Sequence, residues 1–249
     1  MSAARRLNQA ESLFGKLVSR AMRPSSRKAT GALAEFNKVA APLPWTPLSE
    51  LPILAVDVET SGLDASKDRL LSIGWVPVNG RSIDLSGARE IVLTQRPEEG
   101  AASSAAGESA VGDSATVHGI TDDEVAGGAV PAKALEELLK ALAGRAMLVH
   151  FAPMEQDFLG AACQREFSGP LNVPVIDTLE MERRRMEVQG TVPRGEDLRL
   201  PRVRERYGLP TYRSHRAVTD ALACAELYLA ITAPDGMTRQ YRTLRSVSY

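Results

Sequence analysis

Four carboxylates and one imidazole stand out in three short islands of the chain. They are Asp57 and Glu59 in Ala55-Val-Asp-Val-Glu-Thr-Ser-Gly-Leu63, Asp157 in His150-Phe-Ala-Pro-Met-Glu-Gln-Asp-Phe158, and His215 with Asp220 in His215-Arg-Ala-Val-Thr-Asp-Ala221. Carboxylates gathered without a basic partner repel one another and raise each other's pKa. Such a group is sustainable when it holds a divalent cation, and magnesium in particular takes oxygen ligands from a few carboxylates plus substrate phosphates. A histidine beside metal-activated water points to hydrolysis of a phosphate ester. Taken singly, each island is weak. Asp-x-Glu is common by chance, Asp157 also suits a first helical turn favoured by the helix dipole, and an isolated histidine is usually a cap or a surface residue. The chemistry requires that the three islands converge.

The elements that must position them are legible in outline. Ile53-Leu-Ala-Val-Asp-Val-Glu59 is a short apolar run of the kind found in a central strand. Side chains alternate along a strand, so Asp57 and Glu59 point to one face. A second strand is expected over Arg69–Val78 and a third over Ser82–Leu93, joined by the turn signal Asn79-Gly80. Strand and helix then alternate: a helix over Ala134–Ala143, a strand over Ala146–His150, and a helix over Pro153–Phe167 that carries Asp157. A strand over Val173–Ile176, a helix from Thr178, a short one over Pro201–Tyr207 and an alanine-rich helix over Arg216–Ile231 follow. Pro210 breaks the chain ahead of the last helix, which places His215 in a loop and Asp220 about one turn inside the helix. Antiparallel strands followed by strand–helix alternation argue for an α/β domain with a mixed sheet.

Length, 44% hydrophobic and 24% charged residues bound the chain to one domain with extensions, or two small ones. No apolar run reaches membrane-span length. Cys163 and Cys224 lie in alanine-rich stretches without partners at metal-ligand spacing, which favours reduced core residues in a cytoplasmic protein. The net charge of -1 hides an asymmetry. Met1–Thr30 carries seven Lys/Arg against Glu11, residues 97–124 carry seven acids and no Lys/Arg, and Arg183–Arg216 carries ten arginines against four acids. The basic stretches are candidates for touching a polyanion, or are solvated surface.

Residues 1–50 read as a helical extension, with helix-like segments at Ala3–Met22 and Gly31–Ala40, ending in a proline-rich linker at Pro42–Pro47. The first segment is Arg- and Ser-rich, as mitochondrial presequences are, yet a docked or partner-binding helix is the preferred reading. Its Gln9-Ala-Glu-Ser-Leu-Phe14 resembles a bacterial sliding-clamp-binding peptide, with a plain apolar helix face as the alternative. The domain proper is expected over 51–233, with a mobile Ala/Ser/Gly insertion near 97–115, and 234–249 as a C-terminal tail.

Taken together and in order, the islands resemble the three motifs of the DEDDh (DnaQ-like) family of 3'-5' exonucleases, which includes the epsilon proofreading subunit of bacterial DNA polymerase III. Val117-His-Gly-Ile-Thr121 and Val175-Ile-Asp-Thr178 match as well. The resemblance covers roughly Leu51–Ile231. It implies a ribonuclease H-like three-layer fold with a central mixed five-stranded sheet. It also implies two Mg²⁺ or Mn²⁺ ions held by Asp57, Glu59, Asp157 and Asp220, with His215 accepting the proton of the attacking water. Thr60, Leu63, His118 and Phe158 would contact the 3' nucleotide, with packing as the alternative fate of Phe158. The expected activity is release of nucleoside monophosphates from the 3' end of single-stranded DNA. The alternatives are a 3'-5' exoribonuclease and a polymerase-associated accessory or scaffold protein. A polymerase or sliding clamp is the expected protein partner, met through the extension.

Overall fold

The computed structural model of the chain describes residues 29–94, 119–212, 215–233 and 242–249. His118, the Ala3–Met22 segment with its clamp-like peptide, and the insertion near 97–115 lie outside the described residues.

The chain order is α1 (Gly31–Phe36), β1 (Pro52–Thr60), β2 (Leu70–Asn79), β3 (Ser82–Ile83), β4 (Arg89–Val92), α2 (Asp122–Ala126) and α3 (Pro131–Leu142). There follow β5 (Ala146–Val149), α4 (Ala152–Phe167), β6 (Val175–Asp177), α5 (Thr178–Val188), α6 (Leu200–Arg206), α7 (Ala217–Ile231) and α8 (Leu244–Val247). β1 is central. It pairs antiparallel with β2 and parallel with β5, which pairs parallel with β6. β3 and β4 share the lane outside β2, so six strands fill five lanes. The third strand, expected unbroken over Ser82–Leu93, is interrupted at Leu85–Gly87, because the Asp84 carboxylate accepts from the Ser86 N–H (3.0 Å) and hydroxyl (2.6 Å) and caps a 3-10 turn there. The mixed sheet with helices on both faces is the α/β architecture expected. Among the described residues no helix is long and apolar enough to cross a membrane.

Strand alternation divides the core in two. Leu54, Val56 and Val58 face α1, α3 and α4, whereas Ile53 and Ala55 face α7 and α8. Asp57 and Glu59 continue the Ile53–Ala55 row toward the carboxyl end of β1. α7 approaches that row closely because its inward residues are Ala217, Ala221, Cys224 and Ala225. Gly74 permits the closest part. It stands opposite Asp57 in β2, and a Cβ there would lie 2.1 Å from the Ala217 carbonyl carbon and the Val218 nitrogen. The start of α7 therefore rests on bare β2 backbone.

Residues 29–50 and 242–249, expected as extension, linker and tail, pack onto this sheet. Leu33 and Phe36 are buried in the core with α3 and α4, and the Thr30 N–H donates to the Phe167 carbonyl (2.8 Å). Leu244 and Arg245 N–H groups donate to the carbonyls of Thr46 (3.0 Å) and Pro44 (2.7 Å), and the Leu48 N–H donates to Arg242 (3.0 Å). Ser248 bridges Ile176, covering the edge of β6. The expected boundary at residue 50 marks no gap in the packing.

Substituting Gly74→Ala drives a methyl into the α7 backbone. We expect a loss of about 3 kcal/mol or more in urea unfolding, together with loss of whatever activity depends on Asp220. Unchanged stability would contradict the close approach.

Candidate active site

β1 delivers two carboxylates and α7 delivers a third. Ligand oxygens of Asp57, Glu59 and Asp220 lie within 4.8 Å of one another. Asp220 occupies the first turn of α7, and its Oδ2 accepts the backbone N–H of His215 (2.9 Å). His215 stands two residues ahead of the helix in a left-handed conformation, φ 77°, which is the loop placement expected for it. Its side chain is exposed.

Asp157 does not join the group. It is exposed, in a surface hollow beside Leu63–Ser66 and Ala161. Glu155, two residues earlier and so about 200° around the helix, turns inward instead. It is 2% exposed, its Oε2 has no hydrogen-bond partner among the described residues, and its charge acts on Asp57. The acid that α4 buries toward Asp57 is thus Glu155, where the expectation placed Asp157. Helix phase could have revealed it: Glu155 stands three before buried Phe158 and four before buried Leu159.

The electrostatics are severe. Burial, then Glu155, Asp220, Glu59 and Glu90, push the Asp57 carboxyl well above the usual carboxylate range. Glu59 is pushed up to about 7 by burial, then by Asp220 and Glu90. Glu155 is raised by burial and by Asp177. The charged neighbours that raise Asp57 are Glu155, Asp220, Glu59 and Glu90, all acids, and an all-oxygen donor set of this kind fits hard divalent cations. The orphaned Glu155 Oε2 fits the same reading, as does the buried, unpartnered hydroxyl of Ser72 opposite Glu59.

Two further acids hold the frame rather than the cluster. Glu90, on β4, accepts from the Arg216 guanidinium (2.7 and 3.0 Å) and from the Ala217 N–H (3.1 Å), pinning the start of α7. Asp177, 2% exposed at the end of β6, accepts from the N–H groups of Phe151 (3.0 Å), Ala152 (2.8 Å) and Leu179 (2.9 Å). It thereby fixes the first turn of α4, from which Glu155 projects. His150 is half-buried and its pKa is lowered, chiefly by desolvation. It donates from Nε2 to the Leu198 carbonyl (2.8 Å) and serves packing.

Of the expected substrate contacts, Leu63 is 84% exposed, and Thr60, half-buried, donates its hydroxyl to the Gly62 carbonyl (2.6 Å). Phe158 is 3% exposed and packs in the core, so it is not available to a nucleotide. The arginine-rich stretch is largely paired internally: Arg183 and Arg184 with Glu180, Arg185 and Arg206 with Glu182, Arg204 with Glu226, Arg216 with Glu90. Its formal charge overstates what a polyanion would meet.

The Exonuclease family model RNase_T matches residues 54–228, which contain all three islands. The chain is 25% identical over 179 residues to the DNA polymerase III subunit epsilon of Treponema pallidum (strain Nichols), covering 72% of this chain and 75% of that protein. It is 28% identical over 182 residues to the PolC-type DNA polymerase III of Halalkalibacterium halodurans, covering 73% of this chain and 11% of that protein. In fold it is similar to E. coli exonuclease I in complex with a dT13 oligonucleotide, with TM-score 0.59, 15% identity, and 77% of this chain and 43% of that chain covered. It is also similar to the nuclease domain of 3'hExo, a DEDDh family member, bound to rAMP, with TM-score 0.58, 16% identity, and 74% and 92% covered.

Two stability measurements check the charge cluster. Carboxylates whose pKa values rise on folding contribute stability that is present below their ordinary pKa and lost as pH climbs through the folded values. In EDTA the melting temperature should therefore fall between about pH 4.5 and pH 8, and added Mg²⁺ or Mn²⁺ should restore it most at the alkaline end. Asp57→Asn should stabilise the metal-free protein at pH 8 by about 1–2 kcal/mol, while abolishing the metal-induced rise. Destabilisation by Asp57→Asn would count against a repulsive cluster.

Proposed function

The chain belongs to the RNase_T exonuclease family and is a 3'-5' exonuclease, and from that premise we propose that it releases nucleoside monophosphates from the 3' end of single-stranded DNA. One observation carries the site assignment: three carboxylates from β1 and α7 meet within 4.8 Å, and further acids raise Asp57 among them.

Asp57, Glu59, Glu155 and Asp220 would hold two Mg²⁺ or Mn²⁺ ions. When bound, the ions offset the cluster's negative charge, polarise the scissile phosphate and lower the pKa of the attacking water. The protein's own part is positional. β1 presents Asp57 and Glu59 on one face, and Asp177 and α4 bring Glu155 to it. Glu90 and Gly74 seat α7 so that Asp220 closes the group. His215 is the proposed general base. Its backbone N–H is tied to the Asp220 carboxylate, and its exposed imidazole is the group proposed to accept the proton. Leu63, strongly exposed on the β1–β2 loop, is the proposed apolar contact of the terminal nucleotide.

Likeness to a polymerase III epsilon subunit supports DNA and a proofreading or repair role beside a polymerase, inside the cell. Fold likeness to a nuclease bound to rAMP supports the alternative, a 3' exoribonuclease. A polymerase or sliding clamp remains the proposed protein partner.

Matched 5'-labelled single-stranded DNA and RNA, incubated with Mg²⁺, Mn²⁺ or EDTA, test the reading. We expect a ladder shortening from the 3' end, DNA faster than RNA, and none in EDTA. Glu155→Gln or Asp220→Ala should cost roughly a hundredfold or more, whereas Asp157→Asn should stay within about threefold of wild type. Equal loss in Glu155→Gln and Asp157→Asn would overturn the choice of fourth ligand.

A further inference from the structure

Between β5 and α4 the chain passes through Phe151 with φ 96° and ψ 69°. Among the described residues only Phe151, Ser168 and His215 are non-glycines with positive φ. For a bulky aromatic residue this is an outlier, and Gly or Asn would meet the same backbone requirement at lower cost. The conformation is held from outside. The buried Asp177 accepts the N–H groups of Phe151 and of Ala152, and the Phe151 carbonyl accepts from the Met154 N–H (3.1 Å). A strained conformation fixed by its surroundings is a mark of a functional position.

Burial does not explain the side chain, which is 48% exposed. Its place does. β5 runs parallel to β1 in the register Ala55↔Leu148, so the chain after β5 emerges at the rim where Asp57 and Glu59 end. Phe151 stands one helical turn ahead of Glu155. Leu63, the other strongly exposed apolar side chain at this rim, is on the loop after β1. Phe158, the aromatic expected to meet a nucleotide, packs in the core.

We infer that Phe151 is a base-stacking residue, which holds an unpaired base of a single-stranded 3' end beside the carboxylate cluster. Stacking suits the task, because every base has a π-face and no base-specific contact is needed. The inference rests on the exonuclease reading but is separable from it.

The test uses the full chain and 5'-labelled oligo-dT, with binding followed by fluorescence anisotropy in EDTA and turnover followed in Mg²⁺. Phe151→Asn should weaken binding and raise KM about tenfold, with kcat within about twofold. Relief of backbone strain should offset lost burial, keeping the melting temperature within about 3 °C of wild type. Phe151→Tyr should restore KM. An oligonucleotide abasic at its last three positions should bind wild type about tenfold more weakly than oligo-dT, and Phe151→Asn should scarcely distinguish the two. An unchanged KM in Phe151→Asn, a fall in kcat alone, or equal abasic discrimination in both proteins would overturn the stacking role. Wild-type digestion in the same assay shows whether the exonuclease reading stands.

Discussion

Mutual repulsion among crowded, partly buried carboxylates is the constraint around which this domain is built. Asp57, Glu59 and Asp220 share a small volume with Glu155 acting on Asp57, and burial adds to the cost of charging Asp57, Glu59 and Glu155. Left to itself, such a group would spread apart or stay protonated. Its persistence requires a scaffold stiff enough to resist the separation, and a cation large in charge and small in size to reward it.

The scaffold meets that demand with backbone more than with side-chain chemistry. β1 holds Asp57 and Glu59 together because both stay in register with β2, opposite Gly74 and Ser72. α7 is brought close by small residues and by the missing side chain at Gly74. Glu90 and Asp177 then act in parallel, each an acid spent on backbone N–H groups at the start of a helix. One anchors the helix of Asp220 and the other the helix of Glu155. Acids outside the cluster thus position acids inside it.

How much of this could be read beforehand follows from the range of each interaction. Asp57 and Glu59 were legible because strand alternation is strictly local, and His215 because a proline break precedes it. The fourth carboxylate was not, because the choice between Glu155 and Asp157 depends on where α4 begins and which face it turns to β1. Phe158 packs for the same reason: the helix phase that sends Glu155 inward buries it. The break in the third strand rested on a single side-chain cap at Asp84. The arginines of 183–216 looked available because acids that pair them lie outside the stretch: Glu180 and Glu182 just before it, Glu226 just after it, and Glu90 far away in the chain. What failed was helix phase and long-range pairing; what held was periodicity and order.

The clasp between residues 44–48 and 242–245 has a consequence for assembly. It joins segments on opposite sides of every site residue, so the chain closes on itself like a ring without a covalent link. Contacts of such long sequence separation are slow to form, since the intervening chain must be ordered first. The same segment lies over β6, whose final residue, Asp177, steadies the helix bearing Glu155. Residues 242–249 thus back the strand whose last residue steadies the helix bearing Glu155.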